Sequence, residues 1–340
     1  MENRIDWIDC AKAIGIFLVV LSHTDVYYPV EVVIYTFHMP LFFVLSGYNF
    51  SFERNPEFFD FMKKKFKGLI IPYLAISAIT YLTWFFVGRK YGDDLNMPVV
   101  EWFEPIMNAL LGYPVKMIHN IPIWFFMCLF VVEMFFYILF RRKNRFVWMI
   151  IAGILLLIFV AWANSALNPY VLPFTIPTAL YAVVFYAFGY LLKQSKALAV
   201  NNIIIVIVEA LIVLLVAYFN GKVAMHRNIY GNPLLFFAGG IAGAFFIIHL
   251  SRYLSNLFKS NKLVCYLGAN TLVICGFHLQ TFSVIKAIVI YVLGLSLSVF
   301  SQKIGLNMLF SAVSILLCIP VIWFINRYLP FIAGKSNLKK

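Results

Sequence analysis

Long runs of apolar residues constrain this sequence more than any other feature. The hydrocarbon core of a bilayer is about 30 Å thick and takes roughly 20 helical residues to cross. Apolar runs of about that length lie near residues 11–28, 32–50, 68–87, 121–140, 147–163, 173–192, 203–219, 233–250, 263–295 and 306–328. They predict an all-α, polytopic transmembrane helical bundle of about ten transmembrane helices, as a single integral membrane domain over residues 1–340. The run at 263–295 is too long for one simple span, so we expect it to be tilted or broken.

Composition supports lipid as the solvent. The chain is 63% hydrophobic and 12% charged, and a water-soluble protein of 340 residues could not bury that much apolar surface. The formal net charge of +13 comes from Lys and Arg residues in short loops rather than from a basic domain. This distribution favours contact with membrane lipid and argues against binding of nucleic acid.

Loop charge predicts the orientation of the chain. One set of loops is rich in basic residues, and alternate loops are poor in them. The rich set holds Arg4, Lys12, Arg54, Lys63, Lys64, Lys65, Lys67, Arg141, Arg142, Lys143, Arg145, Lys193, Lys196, Arg252, Lys259, Lys262, Lys335, Lys339 and Lys340, against Arg89, Lys90, Lys116, Lys222, Arg227 and Lys303 in the poor set. Because basic loops stay inside, both termini are predicted to be cytoplasmic, in a plasma (inner) membrane.

Ionisable side chains inside spans are costly and point to function. Lys12 and His23 are eleven residues apart, so they share one face of the first helix, about 16 Å apart along its axis. Asp9 lies one turn before Lys12. His38 is about as far as His23 from the turn near 29–31, and His278 lies about fifteen residues into the ninth run. We therefore expect the three imidazoles to converge in the extracytoplasmic half of the membrane.

Simpler roles stay open for these residues. A histidine in a span often only makes a helix–helix hydrogen bond, and Asp9 with Lys12 could be an interfacial ion pair. Trp124 could be a membrane-belt aromatic, and Ser46-Gly47 could serve only close helix packing. The acids Glu133 and Glu209 could each pair with a base such as Lys286 or mark a polar passage. His249 is predicted to be interfacial, and His119 and His226 to lie in outer loops.

The residue types indicate transfer of a group across the membrane. A neutral imidazole can take a proton from a hydroxyl and return it to a leaving group. Lys64 and Lys67, near Tyr73, offer positive charge for a polyphosphate donor at the cytoplasmic face, although such lysines could also merely set topology. The five cysteines have no metal-type spacing, so no metal is expected.

Several motifs resemble the acyltransferase 3 family of integral membrane acyltransferases. They are Asp9-x-x-Lys12-x-x-Gly15 leading to His23, Phe37-His38-Met39-Pro40 followed by Leu45-Ser46-Gly47-Tyr48, Lys67 with Pro72-Tyr73, Trp124-Phe125, Gly189-Tyr190, and Gly268 with Asn270-Thr271 and His278. The likeness covers nearly the whole chain. It is closest to the branch of fucose 4-O-acetylase-like and exopolysaccharide acetyltransferases. Lys12 stands where the family has Arg, and Lys offers a point charge rather than a bidentate fork.

The resemblance implies transfer of acetyl from cytoplasmic acetyl-CoA to a hydroxyl of a cell-surface glycan or lipid-linked sugar. We expect His23 to act as general base or acetyl carrier, with Asp9 and Lys12 organising the donor entry. The acceptor would meet His38, Ser46, Trp124 and His278, and the donor would meet Lys64, Lys67 and Tyr73. No fused extracytoplasmic hydrolase-like domain is expected, and a homo-oligomer stays open. A saccharide or anion transporter, or flippase, is the main alternative, and a ligand sensor is a third.

Overall fold

The computed structural model describes residues 6–90, 101–141, 153, 172–199, 202–258 and 261–335, and within them it confirms a polytopic helical protein without named strands. Eight helical segments of this described part are long and apolar enough to cross a membrane. They are Tyr28–Asn49, Phe58–Lys90, Ile121–Phe140, Ile176–Gln194, Ile203–Asn220, Pro233–Ser255, Thr271–Val292 and Ile304–Tyr328. A further helix of 17 residues, Asp6–Ser22, occupies the first predicted span. The predicted span at 147–163 lies outside the described residues, apart from 153.

The helices are labelled in chain order as follows. They are α1 (Asp6–Ser22), α2 (Tyr28–Asn49), α3 (Phe58–Lys65), α4 (Ile71–Phe86), α5 (Glu104–Leu110), α6 (Trp124–Phe140), α7 (Ile176–Gln194), α8 (Ile203–Asn220), α9 (Pro233–Phe258), α10 (Lys262–Ala269), α11 (Thr271–Ala287) and α12 (Ile304–Tyr328). Short π-helical segments, Phe66–Ile70 and Ile288–Val292, follow α3 and α11.

The long ninth run is broken, as expected from its length. Its break falls at Asn270, whose backbone leaves the helical region with φ −121° and ψ 23°. The Asn270 amide donates to the Tyr266 carbonyl at 2.8 Å. An Asn side chain that bonds a nearby backbone carbonyl competes with helix continuation, so α10 ends before Asn270 and α11 begins after it.

The chain forms two compact units. The first comprises residues 1–50, 184–225 and 229–320, and the second comprises 51–183, 226–228 and 321–340. Of the predicted site residues, Asp9, Lys12, His23, His38, Ser46 and His278 belong to the first unit. Lys64, Lys67, Tyr73 and Trp124 belong to the second.

Within the first unit, α2 and α7 cross with their backbones in contact. A methyl group at Gly47 would overlap the carbonyl of Tyr186, and one at Gly189 would overlap the carbonyl of Val44. Small residues allow such close approach of helices in a membrane. The expected packing role of Gly47 therefore holds in the structure.

Candidate functional site

His23 and His278 lie together in the first unit. Their ring centroids are 5.2 Å apart and their planes are inclined by 40°. His23 is half-buried, whereas His278 is fully buried at 0% exposure. These two imidazoles come from opposite ends of the sequence, so their contact is a tertiary feature.

His23 lies just beyond the helix rather than deep inside it. The sequence predicts a span that continues to residue 28, but α1 ends at Ser22. The side chains of Ser22 and Thr24 donate to the carbonyls of Val19 and Leu21, at 2.8 and 2.7 Å. These local bonds satisfy the last carbonyls of the helix and favour its end here. His23 is thus carried by a turn.

Backbone contacts fix the tautomer of His278. Its Nδ1 lies 3.0 Å from the carbonyl oxygen of Ile274. A carbonyl can only accept, so Nδ1 carries the proton and a neutral His278 keeps its lone pair on Nε2. That Nε2 atom is buried and has no hydrogen-bond partner among the described residues. A buried acceptor left without a donor is costly, which marks this atom as one that can receive a proton donor.

His38 also has its Nδ1 atom beside a backbone carbonyl, but its ring does not contact the His23–His278 pair. Its Nδ1 lies 2.8 Å from the Ile34 carbonyl, which again places the lone pair on Nε2. Among the described residues, its ring contact is with Tyr35 of the same helix, at 5.0 Å between centroids, and no ring contact joins it to His23 or His278. Of the three imidazoles predicted to converge, His23 and His278 are therefore in ring contact.

The remaining candidates of the first unit lie elsewhere on α1 and α2. Ser46 is half-buried and lies about 12 Å further along α2 than His38, by helical rise. Asp9 is buried and Lys12 is half-buried, near the opposite end of α1 from His23. A methyl group at Gly268 would overlap the Asp9 carbonyl, so α10 packs directly on the start of α1.

A cavity of about 390 Å³ opens beside this start of α1, between α1, α9 and α10. Apolar side chains such as Phe17 and Leu254 form much of its wall, and Asp6, Cys10 and Cys265 also line it. Among the residues that the structure describes, no basic side chain lines it. The described part of the lining therefore suits an apolar group.

In the second unit, the lysines of α3 and the following π-helical segment differ in their contacts. Lys65 bonds Glu133 at 2.6 Å, and this acid is 1% exposed. Lys64 and Lys67 are exposed, and the Lys64 ammonium lies 3.4 Å from the Asn55 amide oxygen. The charge of Lys65 is thus matched inside the protein, whereas those of Lys64 and Lys67 face the surroundings.

Tyr73 and Trp124 are both buried in the second unit. The Tyr73 hydroxyl donates to the Ala109 carbonyl at 2.5 Å, and its ring is 0% exposed. This geometry favours a packing role for Tyr73, because its hydroxyl group is already hydrogen-bonded and is buried away from any acetyl-CoA molecule. Trp124 is 4% exposed, and its ring lies 6.4 Å from that of His226.

The buried acids have partners that the sequence did not assign. Glu133 is bonded to Lys65, and Glu209 accepts from His249 at 2.8 Å. Lys286 is the partner in neither pair. His249, expected at the interface, is 3% exposed inside α9, because a carboxylate in a span needs a hydrogen-bond donor nearby. Glu209 lies about two turns after the start of α8, and His249 lies about three turns before the end of α9. This match in depth could have suggested the pair.

His119 is not free in an outer loop. It is 5% exposed, and its Nε2 lies 2.9 Å from the Ser77 hydroxyl. Its Nδ1 has no partner among the described residues. Burial lowers the pKa of His119 from 6.5 to about 4, so its imidazole is neutral at pH 7. The bond to Ser77 ties this loop to α4.

Comparison with known proteins agrees with these features. The acyltransferase 3 family model, described as an acyltransferase domain, matches residues 5–327, which is nearly the whole chain. Neither the curated proteins nor the solved structures gave a match. The membrane-spanning helices and the family match lead to one conclusion: the chain belongs to the acyltransferase 3 family and is an integral membrane acyltransferase.

Proposed function

We propose that this protein is an O-acetyltransferase, which moves acetyl from cytoplasmic acetyl-CoA to a hydroxyl of a cell-surface glycan or a lipid-linked sugar. The observation that carries the proposal is the contact between His23 and His278, at 5.2 Å between ring centroids, in a chain of an acyltransferase family. One half-buried imidazole beside one buried lone pair suits proton transfer from a neutral hydroxyl.

In this mechanism His23 is the general base. It removes the proton of the acceptor hydroxyl as the hydroxyl oxygen forms a bond to the acetyl carbonyl carbon. The tetrahedral intermediate then breaks its carbon–sulfur bond, and the CoA thiolate leaves and regains the proton from His23. The protonated His23 has a second N–H, and the His278 Nε2 atom, unpartnered in the resting structure, offers the acceptor for it.

A covalent route uses the same residues. His23 first takes the acetyl group from the thioester, and the acceptor hydroxyl then displaces the imidazole. In either route Lys64 and Lys67 supply positive charge for the donor phosphates, which their exposure supports. His38, Ser46 and Trp124 orient the acceptor, while Asp9 and Lys12 shape the cytoplasmic end of α1.

Release of CoA from labelled acetyl-CoA by the purified protein tests the proposal. We expect release to depend on a glycan acceptor, and His23→Gln to reduce it at least about 100-fold without lowering the melting temperature. His278→Ala should also reduce turnover, and His278→Gln should lose less than His278→Ala, because the Gln amide oxygen can replace the Nε2 lone pair. Movement of a saccharide across the membrane without release of CoA would instead indicate a transporter or flippase.

A further inference from the structure

The turn that carries His23 is followed by residues that bond Gln302 through three of its polar groups. Gln302 lies in the connection between α11 and α12, which belongs to the first unit. Its backbone N–H donates to the Asp25 carbonyl at 2.9 Å, and its side-chain amide donates to the Asp25 carboxylate at 2.7 Å. Its amide oxygen accepts from the Tyr28 N–H at 3.1 Å. Three polar groups of one residue therefore bond one turn.

A neighbouring residue completes this attachment. Asn307 is 1% exposed, and its amide donates to the same Asp25 carbonyl at 3.0 Å. The same amide donates to the carbonyls of Phe300 and Lys303, at 2.7 and 3.1 Å. The buried Asn307 thus links the turn to the connection that carries Gln302, so hydrogen bonds hold the two segments together.

Gln302 makes these bonds from an unfavourable backbone conformation. Its φ is +56°, in the left-handed region that side chains other than Gly, Asn and Asp rarely adopt. Such a conformation persists only where surrounding contacts enforce it, and it gathers at sites with a functional constraint. The three bonds to the turn are the contacts that enforce it here.

The position of this attachment matters because of what lies next to it. Asp25 is two residues after His23, and His278 lies on α11, the helix that precedes the Gln302 connection. His23 is outside α1, so the helix alone does not fix its ring. The bonds from Gln302 and Asn307 fix the far side of the turn against the part of the chain that includes His278.

We propose that Gln302 is a positioning residue, which sets the imidazole of His23 against that of His278 through its bonds to Asp25 and Tyr28. The inference rests on the proposed function in so far as His23 is the reacting group. Misplacement of a reacting group by about 1 Å can cost about 100-fold in rate, so loss of this attachment lowers turnover without removing any reacting atom.

Gln302→Asn is the variant that tests this role. Asn adopts the left-handed backbone more readily than Gln, so the variant is expected to fold. Its side chain is one methylene shorter and cannot reach both Asp25 and Tyr28. Ser296→Ala is the matched control, because it removes the bond to the Ser298 N–H in the same connection and leaves the turn untouched.

The main readout is the reactivity of His23 toward diethyl pyrocarbonate, followed by peptide mass spectrometry. In Gln302→Asn we expect the modification rate of His23 to rise about threefold or more. We also expect kcat for acetyl-CoA turnover to fall about tenfold, with KM for acetyl-CoA nearly unchanged.

Asp25→Asn combined with Gln302→Glu exchanges the donor and the acceptor of one bond. In this double variant the modification rate of His23 and kcat should both return most of the way to their wild-type values. In Gln302→Glu alone they should not.

Two outcomes separate the two proposals. If His23 is modified at the same rate in Gln302→Asn as in Ser296→Ala, the positioning role is overturned, whatever the turnover. If the rate changes as expected but neither the wild-type protein nor any variant releases CoA, the proposed function fails and the positioning of His23 by Gln302 stands.

Discussion

At the scale of single residues, the two members of the Lys65–Glu133 pair differ in burial. Glu133 is 1% exposed, whereas Lys65 is 29% exposed at its side chain. A buried charge that loses its partner is strongly destabilising, while a charge near water can be hydrated instead. The loss of folding stability should therefore be larger when the charge of Lys65 is removed than when that of Glu133 is removed.

This asymmetry gives a prediction for two single substitutions. Lys65→Met leaves the buried carboxylate without its ammonium and should lower the free energy of unfolding by about 3 kcal/mol. Glu133→Gln keeps a hydrogen-bond acceptor beside a partly hydrated lysine, so it should cost only about 1 kcal/mol. Unfolding in mixed detergent micelles measures both. Equal losses would contradict the burial argument.

His119 predicts a pH dependence of stability. Burial lowers its pKa to about 4 from 6.5, so the unfolded chain binds the proton more tightly than the folded one. The neutral imidazole therefore contributes its full stability above pH 6.5, and this contribution is lost as the pH falls from 6.5 towards 4. The total effect is about 3 kcal/mol at most.

The comparison that isolates this effect is His119→Gln, which does not titrate but can still bond Ser77. Unfolding free energies of both proteins are measured between pH 7 and pH 4.5. The wild-type curve should fall more steeply than that of the variant, by up to about 1.4 kcal/mol per pH unit. Parallel curves would show that the ring stays solvated and that its burial is not what the structure describes.

At the scale of helices, the contact between α2 and α7 depends on two positions without a side chain. We expect Gly47→Ala to lower stability by about 2–3 kcal/mol or more, because its methyl group meets the main chain of α7, which cannot move aside. Gly305→Ala is the control, since a methyl group at that position of α12 meets no atom of the described residues within 4 Å. That change should be neutral or slightly stabilising. Equal melting temperatures for the two variants would contradict the close approach.

The positions of the membrane spans could be predicted from hydropathy, whereas the exact ends of some helices could not. The apolar runs predicted the spans from Tyr28–Asn49 to Ile304–Tyr328, because a bilayer demands about 20 apolar residues whatever the neighbours are. The end of α1 at Ser22 and the break at Asn270 depend on single polar side chains that bond the backbone. Average hydropathy does not detect such bonds, so the first span was predicted to end at residue 28 instead of Ser22.

Partners across the bundle were harder to predict than the helices. His23 and His278 could be matched because the turn position and the span length gave their depth. Glu209–His249 joins two consecutive helices and could have been suggested by depth, whereas Lys65–Glu133 needed knowledge of which helices are neighbours. The ring contact of His38 with Tyr35 lies within α2, where residues three apart are neighbours, so it needs no knowledge of adjacent helices.

At the scale of the whole molecule, the orientation of the chain is open to a direct test. Ser298 and Lys196 are both exposed, in connections that the charge distribution places outside and inside, respectively. A membrane-impermeant maleimide on intact cells should label Ser298→Cys but label Lys196→Cys only after permeabilisation, as read by peptide mass spectrometry. The reverse pattern would place His23 on the cytoplasmic side and exclude an extracytoplasmic acceptor.

The acceptors that orient His38 and His278 are main-chain carbonyls, those of Ile34 and Ile274. A carbonyl of this kind is present whatever side chain its residue carries, and it does not titrate. Drift of the sequence at positions 34 and 274 therefore leaves both imidazoles with the same protonated nitrogen. The arrangement of lone pairs in this membrane protein is thus robust to mutation, because helical geometry preserves it even where residue identity changes.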